Sequence, residues 1–213
     1  MKKIAIIMRY LKSEYKQTFF NRTSDPFHVL ISTVISQRTR DENTERISKE
    51  LFRIYKTPEQ LAAAPIKRIE MIIRGSGFYH VKAKRIKKIA GDVIKRFDGK
   101  VPEEREKLLE LEGVGPKTAG CVLVYGFKKP AIPVDTHVHR ISNRLGLVDT
   151  KTPEESEIKL MDVIPKKNWI EINELMVKFG QNKCYPIRPM CSECHLKSVC
   201  GYYKKNKGTK KIR

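Results

Sequence analysis

Apolar residues in this chain recur at steps of three and four almost from end to end, and the period-two alternation of a half-buried strand is scarce. Between residues 83 and 97, Ala83, Ile86, Ala90, Val93, Ile94 and Phe97 mark one helical face, while Lys82, Lys84, Arg85, Lys87, Lys88, Lys95 and Arg96 lie mostly off it. The pattern predicts an all-α protein in which this segment is an amphipathic helix with a solvated basic outer face.

Punctuation divides the rest. Asp25-Pro26 opens a helix through about Ser36, Thr57-Pro58 and Ala64-Pro65 start two short helices, and Gly75, Gly77 and Gly99 mark turns. A break at Pro130 to Pro133 precedes Val134-Asp135-Thr136; from Pro153 a helix, a turn at Pro165 and a second helix through Phe179 and Gly180 lead into a cysteine-rich segment. At 213 residues there is enough chain for two lobes with real cores. The expected division is a helical lobe over residues 25–132 and a second lobe formed by 1–24 together with 133–213. The tail 204–213, KKNKGTKKIR, is almost purely cationic and is expected to be mobile.

Charge narrows the partner. Lys+Arg number 44 against 24 Asp+Glu, a formal +20. Such a surface gains by releasing counterions from a polyanion, which favours nucleic acid over an anionic membrane; a lysine-rich surface without a partner is the blander account. The start, MKKIAIIMRYLK, has an apolar run broken at Arg9, too short for a signal peptide or a membrane span, so a cytosolic protein is expected.

Reduced cysteines are then expected. Cys184, Cys191, Cys194 and Cys200 fall within seventeen residues as C-x6-C-x2-C-x5-C, a donor set that suits either tetrahedral zinc or a 4Fe-4S cluster. Cys191-Ser-Glu-Cys194-His195 also matches a haem-attachment motif, but haem would leave the outer two cysteines without a role. Four protein ligands leave no open position, so a structural metal is expected, pinning the basic YPIRPM finger with Arg188 near a phosphate. Cys121 reads as core.

LEGVGPKTAG, residues 111–120, carries the sharpest signal. Gly113-Val114-Gly115 turns between two helical segments and Pro116 starts the second: a helix-hairpin-helix, whose glycines and following helix N-terminus offer N–H groups to a phosphate without reading a base. Lys117 sits in the first turn of that helix, where the dipole disfavours a cation. Asp135, just ahead of Val138, Ile141 and Leu145, reads as a helix N-cap.

Taken together, these segments resemble the endonuclease III family of base-excision DNA glycosylases. The likeness spans nearly the whole chain: LEGVGPKTAG with its lysine at Lys117, PVDTHVHRISNRLGL with its aspartate at Asp135, the four cysteines at the family's 4Fe-4S spacing, and GFYHVKA and GKVPEE. The resemblance implies a two-lobed helical glycosylase fold with a C-terminal 4Fe-4S cluster loop, acting as a monomer on damaged double-stranded DNA in the cytoplasm, at the nucleoid. It implies that a damaged base, an oxidised pyrimidine, is flipped into a pocket between the lobes. Lys117 then attacks C1′, and the resulting Schiff base permits β-elimination. Its place at a helix start, which favours the free amine, suits that role. Asp135 would stabilise the oxocarbenium-like transition state.

The family also wedges a polar residue, usually glutamine, into the gap left by the flipped base. Here the matching loop is SQRTRD, with Asp41 at a family aspartate and either Gln37 or Arg38 as the wedge. Two other readings share most of these signs. One is a mismatch glycosylase for thymine, uracil or adenine, which Lys117 argues against because relatives without strand cleavage generally carry tyrosine or serine there. The other is a cluster-bearing DNA-binding module without catalysis.

Overall fold

The computed structural model describes residues 2–16 and 25–207. Among them are twelve α-helices and no strand: α1 Lys2–Glu14, α2 Pro26–Ser36, α3 Asp41–Ile54, α4 Pro58–Ala63, α5 Ile66–Ile72, α6 Tyr79–Phe97, α7 Arg105–Leu109, α8 Pro116–Cys121, α9 Thr136–Leu145, α10 Pro153–Val163, α11 Trp169–Asn182 and α12 Gly201–Asn206. The helix begun by α8 continues as a π-turn over Val122–Gly126, and a 3-10 turn over Lys166–Asn168 precedes α11.

The starts follow local chemistry. Asp25 caps α2 by accepting from the His28 N–H at 2.8 Å, and Pro26 opens the helix. Thr57 and Thr152 do the same for α4 and α10, each ahead of a proline. Such caps contribute about 1 kcal/mol apiece.

The chain forms two compact units, Arg22–Lys129 and Met1–Asn21 with Pro130–Arg213. In the first, α2 lies against α3, α6, α8 and the π-turn, and α4 and α5 lie against α6. Leu30, Ile31, Ile35, Ile47, Leu51, Leu61, Ile69 and Ile86 are fully buried there. In the second, Ile4, Ile7 and Leu11 of α1 join Val138, Ile141 and Leu145 of α9, Leu160 of α10 and Phe179 of α11 in one apolar cluster. Leu196 reaches that cluster from the cysteine loop, and Cys184, Cys194 and Cys200 pack on its rim.

Two features depart from the sequence pattern. The basic face of α6 is not wholly solvated: Lys82 is 2% exposed, and Lys87 Nζ donates to the carbonyls of Ala62 at 2.5 Å and Ala64 at 2.6 Å. Those carbonyls end α4, where a cation complements the helix dipole. Residues Lys204 to Asn206 of the expected tail belong to α12, and residues 208–213 lie outside the described residues.

Candidate active site and nucleic-acid interface

The hairpin is built by one left-handed and one open glycine. Gly113 has φ +80°, and a Cβ there would lie 2.1 Å from Arg85 Cδ, so both backbone and packing demand glycine. Gly115, the N-cap of α8, is extended at φ −93° and a Cβ would meet nothing within 4 Å. Among the described residues no contact requires glycine at 115. Gly115→Ala should therefore fold normally, losing at most about 1 kcal/mol, yet bind duplex DNA more weakly. Gly113→Ala should lose stability by 2 kcal/mol or so, from the left-handed backbone and the Arg85 clash. Thermal unfolding beside filter binding to an undamaged duplex separates the two; equal effects on both variants would remove the phosphate role of Gly115.

Lys117 sits in the first turn of α8, partly buried, behind Pro116 and before the buried Thr118 and Ala119. Thr118, Ala119, Gly120 and Cys121 are buried, so this helix cannot rotate without exposing core. A cleft of about 720 Å3 in the same unit, lined by Asp25, Phe27, Lys56, Arg96, Lys100 and Phe127 among others, includes none of the candidate site residues.

The loop after α2 is tied to the hairpin through Gln37. Its Nε2 donates to the Gly113 carbonyl at 3.2 Å and its Oε1 accepts from Arg85 Nη1 at 3.2 Å, so both ends of the amide are engaged inside the unit. Arg38, by contrast, is exposed, with a left-handed backbone at φ +53°. Its guanidinium carbon lies 5.3 Å from the centre of the Phe78 ring. Phe78 is itself left-handed at φ +58° and 63% exposed. Gly77 permits this pairing: a Cβ there would stand 3.0 Å from the Arg38 carbonyl. A bulky residue in the left-handed region is a genuine outlier, and two facing each other on the surface mark a built feature. Phe78 escaped the sequence pattern because an aromatic beside a helical stripe reads as core. Asp41 opens α3 as an acidic residue in its first turn.

Beneath this loop lies Lys82, whose Nζ donates to the Ile35 carbonyl at 2.7 Å and to Thr39 Oγ1 at 2.8 Å. Burial, with the neighbouring Arg85 charge acting in the same direction, lowers its pKa from the ordinary 10.5 to about 8. Between those values the unfolded chain holds a proton that the folded chain has released, so this residue makes stability rise with pH across that window. The cost of burying the cation is complete below about pH 8 and relieved by about pH 10.5. Urea unfolding of wild type and Lys82→Met at pH 7.5 and 10.5 should show the wild type gaining on the variant by on the order of 3 kcal/mol. A pH-independent difference would contradict the lowered value.

In the other unit, Asp135 caps α9: its Oδ1 accepts from the Val138 N–H at 2.8 Å. The segment leading to it is fixed by Asn173 of α11, whose Nδ2 donates to the Pro133 carbonyl at 2.7 Å. Helix α9 itself also reaches the cysteine loop. Arg140 Nη2 donates to the Cys184 carbonyl at 2.9 Å, and Arg144 donates to the carbonyls of Tyr185 at 2.6 Å and Pro186 at 2.7 Å. These contacts hold the base of the finger whose tip presents Ile187, 80% exposed, and the exposed, left-handed Arg188 at φ +51°. His139 is engaged internally, 2.6 Å from Ser156 Oγ.

Donors suited to thiolates reach three of the four cysteines, Cys184, Cys194 and Cys200, and Cys200 Sγ also lies 3.3 Å from the Arg144 carbonyl. Arg144 Nη1 lies 3.5 Å from Cys184 Sγ, and backbone N–H groups point at Cys194 from Leu196 and at Cys200 from Tyr202 and Tyr203. Burial, reinforced by the charges of Cys184, Cys200 and Cys194, pushes the Cys191 thiol up to about 11. The sulfurs therefore feel one another, and a bound cationic group would turn that repulsion into binding. Among the described residues no group of three or more His, Cys, Asp or Glu side chains is arranged to hold a metal ion. The fit rests on donor chemistry rather than on a preformed cage. No described helix is long and apolar enough to cross a membrane.

Residues 31–166 match the HhH-GPD superfamily of base excision DNA repair proteins. Endonuclease III of Thermotoga maritima is 53% identical over 185 residues, 87% of each chain. Endonuclease III of Bacillus subtilis is 39% identical over 178 residues, 83% of this chain and 81% of the relative. Among solved structures, a trapped endonuclease III–DNA covalent intermediate with an estranged adenine superposes with a TM-score of 0.88 at 35% identity, covering 96% of this chain and 97% of that one. A thermostable thymine-DNA glycosylase superposes with a TM-score of 0.85 at 26% identity, covering 96% and 98%. With a two-unit helical fold, a glycine hairpin that launches a lysine, and this degree of likeness over most of its length, the chain belongs to the endonuclease III family of helix-hairpin-helix base excision repair proteins.

Proposed function

We propose that this protein is a bifunctional DNA glycosylase and abasic-site lyase that removes oxidised pyrimidines from duplex DNA, acting as a monomer in the cytoplasm, at the nucleoid. The observation that carries the reading is the coupling of a phosphate-accepting hairpin to an amine: Gly115 has open space where a Cβ would stand, and two residues later Lys117 is held in the first turn of α8. Phosphate contacts at the hairpin fix register without reading sequence, so the amine is carried to a sugar chosen by damage rather than by base order.

In this reading Lys117 Nζ, unprotonated, attacks C1′; the C1′–N-glycosidic bond breaks and the base leaves with the electron pair and a proton. Ring opening gives a protonated Schiff base, which acidifies the C2′ proton. Loss of that proton and of the 3′ phosphate by β-elimination nicks the strand. Asp135, fixed as the N-cap of α9, stabilises positive charge developing on the sugar. Arg38 and Phe78 enter the space the flipped base vacates, because the Gln37 amide is already engaged on Gly113 and Arg85. Asp41 contributes as part of the same loop, and Arg188 at the finger tip contacts backbone phosphate.

Cys184, Cys191, Cys194 and Cys200 would hold a 4Fe-4S cluster, which when bound supplies a rigid cross-link of the loop rather than an open catalytic position. A panel of duplexes, each with one altered base, assayed for base release and for nicking, tests the whole reading. Nicking is expected at oxidised pyrimidines, and base release without any nick would favour a mismatch glycosylase instead. Purified protein should be yellow-brown with iron and sulfide; colourless protein with stoichiometric zinc would refute the cluster.

A further inference from the structure

We propose that Glu112, an anion set inside the phosphate-binding turn, pairs with Lys88 of α6 and limits how tightly the protein holds undamaged DNA. The inference rests on the phosphate role of the hairpin given above and concerns its strength. Glu112 stands between the buried Leu111 and the left-handed Gly113, with its side chain 56% exposed. Three residues of chain separate it from Gly115, a span of at most ~10 Å. That is about one Debye length at ~0.1 M salt, so a phosphate seated at Gly115 feels the Glu112 charge as repulsion.

Helix α6 supplies the opposing cation. Its Arg85 lies against the turn, where a Cβ on Gly113 would stand 2.1 Å from the Arg85 Cδ. One turn further along α6, Lys88 Nζ sits 3.1 Å from Asp92 Oδ2 and 3.7 Å from Glu112 Oε2. The outer face of α6 therefore borders the hairpin here. Asp92 steadies the amine from its own helix, and Glu112 is the longer and more exposed contact. Exposed ion pairs contribute little, so a DNA phosphate exchanges readily for Glu112 as the partner of Lys88. Binding then leaves the Glu112 carboxylate without its cation and beside a phosphate. That cost applies to any duplex, because phosphates carry no sequence. In a chain of formal charge +20 it restrains the non-specific grip and keeps the protein free to move along undamaged DNA.

The test measures affinity for an undamaged duplex from low to high salt in wild type, Glu112→Gln, Lys88→Met and Glu154→Gln. The last removes one negative charge from an exposed position on α10, in the other unit, and controls for net charge alone. Glu112→Gln should bind on the order of threefold tighter than wild type at low salt, with the gain fading as salt rises. Lys88→Met should bind more weakly, and its slope of log affinity against log salt should shrink by about 0.9, the share of one phosphate contact. Circular dichroism checks that these exposed-site variants fold. A Glu112→Gln affinity no tighter than that of Glu154→Gln, or a wild-type slope in Lys88→Met, would overturn the inference. Nicking of a damaged duplex by wild type, scored in parallel, tests the glycosylase reading by itself. Failure of wild type to bind duplex at all would overturn both.

Discussion

Lys117→Ala should abolish the borohydride-trapped adduct with damaged duplex and reduce strand cleavage by at least about a thousandfold, while the protein folds and binds DNA. The size of the effect follows from the role: without the amine there is no covalent intermediate, and neither remaining hairpin glycine can supply a nucleophile. Retained folding follows from position. Lys117 is a partly exposed first-turn residue, and the residues that pack this helix are Thr118, Ala119, Gly120 and Cys121. Alanine is also a good helix former in place of a cation that the dipole disfavours. Lys117→Arg is the informative companion. It keeps a positive charge for phosphate, but a guanidinium is never deprotonated in a protein, so it should bind like wild type and still form no adduct. In wild type the adduct rate should rise with pH as the fraction of free amine rises. An undiminished adduct in Lys117→Ala would move the nucleophile elsewhere; loss of DNA binding in Lys117→Ala that Lys117→Arg restores would make Lys117 a phosphate contact rather than the reacting group.

What could be read from sequence was what local chemistry decides. The Asp25-Pro26 and Thr57-Pro58 starts, the helical stripe of α6 and the Asp135 cap each depend on neighbours within four residues, and each has that local form in the structure. What escaped depends on distant partners. Lys82 looks like one more exposed lysine until the Ile35 carbonyl, 47 positions away, is brought to its amine. Gln37 and Arg38 are equivalent wedge candidates in sequence. They part in the fold because the Gly113 carbonyl, 76 positions on, and Arg85 engage the Gln37 amide while Arg38 stays exposed over Phe78. The left-handed backbones of Arg38 and Phe78 carry no glycine to announce them. These three features all lie around one loop, where local preference is overridden by packing. Such overrides cluster where a protein holds a side chain out for a ligand.

Asp135→Asn separates two roles that one carboxylate combines. As N-cap of α9 it accepts from the Val138 N–H at 2.8 Å, and asparagine caps nearly as well, through its own side-chain oxygen. The substitution therefore leaves α9, and the grip of Arg140 and Arg144 on the cysteine loop, in place. What it removes is the negative charge. If that charge opposes a developing oxocarbenium ion, base release should fall by about 10²- to 10³-fold, the size seen when one preorganised electrostatic partner is lost. The unfolding midpoint should move by no more than a few degrees. On an abasic duplex, where the base is already gone, the same variant should lose much less than it does on an intact lesion. That comparison isolates glycosidic cleavage from the later elimination. Asp135→Ala should in addition lose the cap, with a further drop in stability of about 1 kcal/mol. If asparagine instead matched wild type on the intact lesion, the carboxylate would be a cap alone, and the charge that stabilises the sugar would have to come from another residue.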